Sequence, residues 1–394
     1  MKEPSVKSPV RKADSPFRNV ERFFDIPEQY PAELFSYPGI TQTFYDSVPY
    51  HGKPTRVFAC YGLPENAAPE HPVPGIVLIH GGGASALADW VELWNRRGYA
   101  AISMDTCGGI PCWAPNAYFA KWPRHPFSGP KGWGQSMYDV DLPPEDQWPY
   151  HAAAAVMLAH SLLRSLPGVD PERIGVTGVS WGGVTAATVA GLDPRFRFAI
   201  PVYGCGFMNE ESSALNFEHP RMTPERCDRW YELWDPGHYL PNADLPLLFF
   251  SGSNDFAFPP DALQKSFDAV PNEGKRLSVR VAYPHGMTQC WNEETIFDFA
   301  DSILAKRNVP ELAKIEISGN EVAVPMKCDR KIRLAELNFT RATGYWQDRI
   351  WNRVPAQIEN GRLIARIPRA ASALYFNLFT ENDCCYSSSI LILQ

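Results

Sequence analysis

The sequence predicts an α/β protein, a mostly parallel sheet covered by helices, followed by a small C-terminal β-sandwich. Three observations predict it. Between about residues 55 and 305, short β-branched or apolar runs alternate with helical stretches, the pattern of a parallel sheet buried on both faces. After Pro310 the hydrophobic period changes to two and turn residues separate short runs, as in antiparallel strands. The chain is also long enough: 394 residues, 45% hydrophobic and 21% charged, give an ordinary globular composition with room for a large core.

Residues 1 to 40 are Pro-rich and mixed in charge, too poor in apolar periodicity for a core element, and read as an N-terminal extension. Strand runs follow at RVFACYG (56–62), GIVLIH (75–80), AAISM (100–104), RIGVTGV (173–179), FAIPVYG (198–204), PLLFFSG (246–252) and LSVRVAY (277–283). Helices are expected at 86–97, 149–165, 181–192, 260–270 and 292–306, the last with Ile296, Phe299, Ile303 and Leu304 on one face. Two segments break the rhythm, 106–148 and 205–242. The first carries Trp113, Tyr118, Trp122, Trp133 and Trp148, the second Phe217, Trp230, Tyr231 and Trp234. Irregular segments of that length inside a domain point to insertions that cover a site. Strands KIEIS, EVAVPM, IRLAELNFT, RLIARIP, ALYFNLF and SSILIL then build the sandwich. The organisation read from this is an extension (1–40), a catalytic domain (41–309) and a β-sandwich domain (310–394).

Composition excludes several functions. The formal net charge of −7 offers no broad basic surface for phosphates or anionic lipid, so neither nucleic acid nor a membrane is expected as a partner. No apolar leader or spanning run is visible, and a cytoplasmic location is expected. The nine cysteines are odd in number and lack C-x2-C spacing, which favours buried thiols over disulfides or zinc; pairing of Cys107 with Cys112 stays open.

The strongest local signal is Gly178-Val179-Ser180-Trp181-Gly182-Gly183, lying between a predicted strand and a helix rich in small residues. This is the context that a G-x-S-x-G nucleophile elbow needs: glycines admit the tight turn and leave Ser180 Oγ projecting at a helix N-terminus. On these residues, and on His80-Gly81-Gly82-Gly83 after GIVLIH, segment 55–305 resembles an α/β-hydrolase fold of the acetyl xylan esterase and dienelactone-hydrolase-like branch.

The resemblance implies a triad in the order Ser, Asp or Glu, His. Asp255, after PLLFFSGSN, and His285, after LSVRVAYP, answer that order. Asp261 is the nearest rival acid but falls where it would cap a helix or complement its dipole. Chemistry requires all three, since a serine hydroxyl needs a base to take its proton and the base needs an acid to hold its tautomer. The resemblance also implies an oxyanion hole from the backbone N–H of Trp181 and a glycine of the HGGG turn, read as Gly82 with Gly81 and Gly83 as alternatives. His80 reads as a loop brace.

Ser180 stands where dienelactone hydrolases proper use a cysteine, so lactone opening is not implied. The expected activity is serine-dependent hydrolysis of carboxylic esters, with acetylated carbohydrate or another small acyl ester as the small-molecule substrate. A prolyl oligopeptidase-type aminopeptidase stands second, because about 55 residues precede the domain, too few for a β-propeller. Glu210 and Glu211 are the acidic pair that could bind its substrate's ammonium, with a solvated surface pair as the favoured alternative. A non-catalytic binding protein on a hydrolase fold stands third. No metal or organic cofactor is expected, and homo-oligomerisation is left open.

Overall fold

The computed structural model describes residues 15–111, 122–132, 137–209 and 222–393. Among them, strands β1 (Gln29–Ala32), β2 (Thr41–Tyr50) and β3 (Lys53–Gly62) form an antiparallel edge. Then come β4 (Val73–Ile79), β5 (Ala100–Met104), β6 (Val169–Val179), β7 (Ala199–Val202), β8 (Leu248–Gly252) and β9 (Arg276–Arg280). Their spatial order is β1-β2-β3-β5-β4-β6-β7-β8-β9, and every pair from β5 to β9 is parallel. β4, β5, β7 and β8 are almost wholly buried, so both faces must be covered and the strands read as continuous apolar runs. The covering helices are α1 (Ala88–Arg96), α2 (Trp148–Ser165), α3 (Trp181–Ala190), α4 (Pro224–Trp234), α5 (Pro260–Ala269) and α6 (Glu294–Leu304).

All parallel strands run the same way, so the segments after β4, β6, β7, β8 and β9 gather at one edge. The HGGG turn, Ser180, Tyr203, Asp255 and His285 therefore share that edge, the carboxyl ends where open α/β sheets carry their sites.

The C-terminal part contains β10 (Glu311–Leu312), β11 (Glu316–Ser318), β12 (Glu321–Lys327), β13 (Ile332–Thr340), β14 (Trp351–Pro355), β15 (Gln357–Glu359), β16 (Arg362–Arg366), β17 (Ala373–Thr380), β18 (Cys385–Ser387) and β19 (Leu391–Ile392). β18-β17-β13-β14 form one antiparallel sheet and β10-β12-β16-β15 another. Val322, Val324, Leu337, Leu363, Leu374 and Phe376 fill a core between them, separate from the main one. The first of these sheets continues the central sheet, because β18 pairs with β9 at Ser387 and Leu277.

The structure departs from the sequence pattern in several places, among them β2 and β14, which no expected run covers. Phe17 and Phe23, in a segment read as lacking core elements, are buried in the main core with Phe17 stacked on Tyr150, and β1 pairs with β2. Isolated aromatics carry no period, so pattern alone passes over them. Helix α4 lies inside the second insertion, where Cys227, Trp230, Tyr231 and Trp234 form an i, i+3, i+4, i+7 stripe that the sequence reading passed over. In SSILIL only Leu391 and Ile392 are strand, and the longer pairing falls earlier, in β18.

Candidate active site

β6 leads into α3 through Ser180, whose backbone adopts φ 59°, ψ −119°. A non-glycine residue in that region is strained, and the surroundings hold it there. A Cβ on Gly178 would strike the Gly182 carbonyl, and one on Gly182 the carbonyls of Ile79 and His80, so this turn closes only with glycine at both positions. Ser180 N–H donates to the Val202 carbonyl at 2.8 Å and its own carbonyl accepts from Val184 at 3.0 Å, pinning the elbow to β7 and to α3.

Asp255 and His285 are brought into contact. The imidazole Nδ1 lies 2.8 Å from Asp255 Oδ2. The other carboxylate oxygen, Oδ1, accepts from the N–H groups of Ala257 and Phe258, both at 2.8 Å. With a carboxylate as partner, Nδ1 carries the ring proton, which leaves Nε2 of the neutral ring as the basic nitrogen. Asp255 is 2% exposed and its position is fixed from both sides. Asp261 lies in the first turn of α5 and accepts from the Ala262 N–H at 2.9 Å.

Three aromatic rings box the imidazole, Tyr203 at 4.9 Å between centroids, Phe256 at 5.1 Å and Phe258 at 6.2 Å. Tyr203 also has a positive φ of 51°, a second strained backbone at the same edge. Sequence reading missed this box. Its signals are the two phenylalanines that follow the aspartate in Asp255-Phe256-Ala257-Phe258 and the tyrosine next to last in FAIPVYG.

The HGGG segment forms a turn closed by Ala84 N–H donating to the Gly81 carbonyl at 3.2 Å, with Gly83 at φ 81°. A Cβ on Gly81 would meet Ser180 Cβ at 3.4 Å and Met287 Sδ at 3.8 Å, so the turn, the serine and the His285 loop converge on one point. His80 is 2% exposed and braces the turn: Nδ1 bonds the Gly81 carbonyl at 2.7 Å and Nε2 accepts from Thr106 N–H at 3.0 Å. Burial holds this histidine below its ordinary value, opposed by Asp105 and the Gly81 carbonyl, so it remains neutral. Gly82 sits inside this turn, and Trp181 is the first residue of α3.

The insertions are tied to this edge. Asp105 Oδ2 accepts from the N–H groups of Cys107 and Gly109, and its Oδ1 from Ser85 Oγ, all at 2.9 Å. Trp122 Nε1 donates to the Gly83 carbonyl at 3.0 Å. Asp235 accepts from the N–H groups of Phe207, Met208 and Gly237 and folds the second insertion back on itself. Trp148 and Trp230 both pack edge-on against Trp181, at 5.6 and 6.2 Å, so the two insertions meet on the residue after the serine. Trp148, Trp230, Tyr231 and Trp234 are buried, which fits packing; Trp346 is buried too, stacked on Trp351. Trp113, Tyr118, Trp133, Phe217, Glu210, Glu211 and Cys112 lie outside the described residues. Among the described residues no His, Cys, Asp and Glu cluster could hold a metal ion, and no helix is long and apolar enough to cross a membrane.

Two family models match overlapping parts of the chain, the acetyl xylan esterase family over residues 40–216 and the prolyl oligopeptidase family over 144–290. Dipeptidyl-peptidase 5 of Porphyromonas gingivalis is 26% identical over 277 residues, 62% of this chain and 35% of that protein. The chain thus spans about a third of that relative's length. Among solved structures, the acetyl xylan esterase from Paenibacillus sp. R4 superposes with a TM-score of 0.59 at 18% identity, over 77% of this chain and 99% of the other. Acetyl xylan esterase 1 from Thermoanaerobacterium sp. JW/SL YS485 does so with 0.52 at 16%, over 78% and 99%. With the sheet order and the elbow already described, these likenesses give the chain an α/β-hydrolase fold that resembles the acetyl xylan esterase branch and, over its middle part, the prolyl oligopeptidase family.

Proposed function

We propose that the protein is a serine carboxylesterase that works through an acyl-enzyme and removes acetyl or similarly small acyl groups, with acetylated carbohydrate as the first candidate substrate. The observation that carries this reading is the Asp255–His285 hydrogen bond at 2.8 Å, at the same strand ends as the strained Ser180 elbow. In this reading Ser180 Oγ attacks the ester carbonyl carbon while His285 Nε2 takes its proton. The carbonyl oxygen becomes the oxyanion and accepts from the backbone N–H groups of Trp181 and Gly82. Collapse expels the alcohol, which takes the proton back from His285 and leaves acyl-Ser180. Water, deprotonated by the same imidazole, then releases the acid. Asp255 holds the ring and stabilises the imidazolium.

Acyl size and sugar preference rest on the likeness to acetyl xylan esterases. The peptidase reading is kept because the prolyl oligopeptidase model and a dipeptidyl-peptidase also match. One panel separates the two. Release of acetate from acetylated oligosaccharide and from p-nitrophenyl acetate, faster than from the octanoate ester and lost in Ser180→Ala, supports the esterase. Comparable turnover of aminoacyl or dipeptidyl anilides, abolished by replacing Glu210 and Glu211, replaces it with the peptidase.

A further inference from the structure

The residue before the acid belongs, by its hydrogen bonds, to the C-terminal sandwich. The Asn254 side-chain amide Nδ2 lies 3.3 Å from the Trp346 carbonyl, 3.2 Å from that of Gln347 and 2.7 Å from that of Arg349. Its Oδ1 accepts from Ser253 Oγ at 2.7 Å, which orients the amide so that its N–H bonds face the sandwich. Ser253 Oγ also accepts from Ala282 N–H at 3.0 Å, in the segment between β9 and His285. Two consecutive residues therefore tie the acid loop both to the histidine loop and to the sandwich.

The sandwich side of this contact is stiff. Arg349 lies over the Trp346 ring at 3.5 Å and bonds the Gly344 carbonyl through Nε and Nη2 at 3.1 and 2.8 Å. Trp346 is 3% exposed and stacks on Trp351, which packs edge-on against Tyr375 of β17. A continuous chain of contacts thus runs from the sandwich sheet through residues 344–349 to Asn254, and one peptide further to the carboxylate that holds His285. A surface appendage needs no such connection to a buried carboxylate.

Resting on the esterase reading, we propose that Asn254 is a positioning residue through which the C-terminal sandwich sets the Asp255–His285 geometry, so that the sandwich is part of the catalytic apparatus. Asp255 spends one oxygen on its own loop and one on the imidazole, and the bonds that tie this loop to the sandwich are those of Asn254.

The test uses the full-length protein with p-nitrophenyl acetate and a proton NMR spectrum of the downfield His285 Nδ1–H. Asn254→Asp keeps the shape of the side chain but cannot donate to the three carbonyls, and Asn254→Ala removes it. Both should lower kcat on the order of tenfold to a hundredfold, with KM within about twofold, and broaden or remove the downfield resonance. Ser253→Ala, a milder lesion, should give an intermediate loss, and Ser253→Thr, which keeps the hydroxyl, should restore kcat. A role confined to stability would lower the melting temperature while kcat and the resonance stay as in the wild type, and that result in whichever variants fold overturns the proposal. Activity surviving in Ser180→Ala would instead remove the esterase mechanism itself, an outcome distinct from a wild-type kcat in the Asn254 variants.

Discussion

At the scale of single residues, the two carboxylates near the end of β8 have different surroundings. Asp255 is almost wholly buried, spends one oxygen on two backbone N–H groups and the other on His285, whereas Asp261 accepts from Ala262 at the start of α5. Asp255→Asn places an amide where only an acceptor fits both partners, and it favours the wrong imidazole tautomer. Hydrolysis should fall by on the order of 10³ to 10⁴, while Asp261→Asn should stay within about threefold because a half-buried first-turn position away from His285 is involved. Steady-state rates of the two variants check the assignment, and the reverse ranking would move the acid to Asp261. The strained turn at Ser180 was legible from Gly178 to Gly183 because the elbow is a local device: its glycines, strand and helix are contiguous in sequence. The pairing of Asp255 with His285 followed only with the order implied by the resemblance. The aromatic box and Asn254 were not legible, since what makes them matter is a ring or carbonyl far away along the chain.

Elements were read best where burial is two-sided. Each of the seven apolar runs between 56 and 283 falls on a strand, because a strand covered on both faces has no polar alternation to confuse it. The insertions were legible as interruptions but not in content. Helix α4 was missed, and composition alone does not tell a packing tryptophan from a substrate-stacking one. The described tryptophans resolve toward packing: Trp148 and Trp230 converge on Trp181, and Trp148 Nε1 and Trp234 Nε1 are satisfied at 2.7 Å by the Thr106 carbonyl and by Gln147 Oε1. Trp230→Ala should therefore cost about 3 to 5 kcal/mol of stability in urea unfolding, with KM for p-nitrophenyl acetate and for acetylated oligosaccharide little changed. A large rise in the oligosaccharide KM without loss of stability would instead make this cluster a sugar subsite. Continuity of the central sheet into the sandwich was beyond reading, because it rests on a single non-local pairing of Ser387 with Leu277.

For the whole molecule, buried histidines dominate the response to acid. Burial lowers His80, His125 and His160 and brings His151 down to about 4. His160 stacks on Phe196 at 3.9 Å and bonds Asp193, whose carboxyl is held well below the usual range, against the effect of burial, by Arg195 and His160. The folded chain keeps these rings neutral while the unfolded chain protonates them near pH ~6.5. Below that value the unfolded state binds more protons, so each ring removes up to ~1.4 kcal/mol of stability per pH unit. Glu293 runs the other way: burial raises its carboxyl to about 7 despite Arg280 at 2.7 Å, so its contribution is present at low pH and lost as pH rises toward 7. Asp235 and Glu336, also raised by burial, act in the same sense as Glu293. Asp89 and Asp139 are raised as well; because four rings gain protons on unfolding below pH ~6.5, the melting temperature should fall between pH 7 and pH 5.5, read by circular dichroism. A constant or rising melting temperature would show that these rings are protonated in the fold.

The esterase account depends most directly on a covalent bond at Ser180. Rapid mixing with p-nitrophenyl acetate, an acid quench within the first turnovers, and mass measurement of the intact protein and its peptides would capture that bond. The account predicts a species heavier by one acetyl group, with the group on the peptide containing Ser180, absent from Ser180→Ala, and formed as fast as the initial burst of p-nitrophenol. Full turnover with no acetylated species at any quench time and no burst, or acetyl on another residue with undiminished activity in Ser180→Ala, would contradict it.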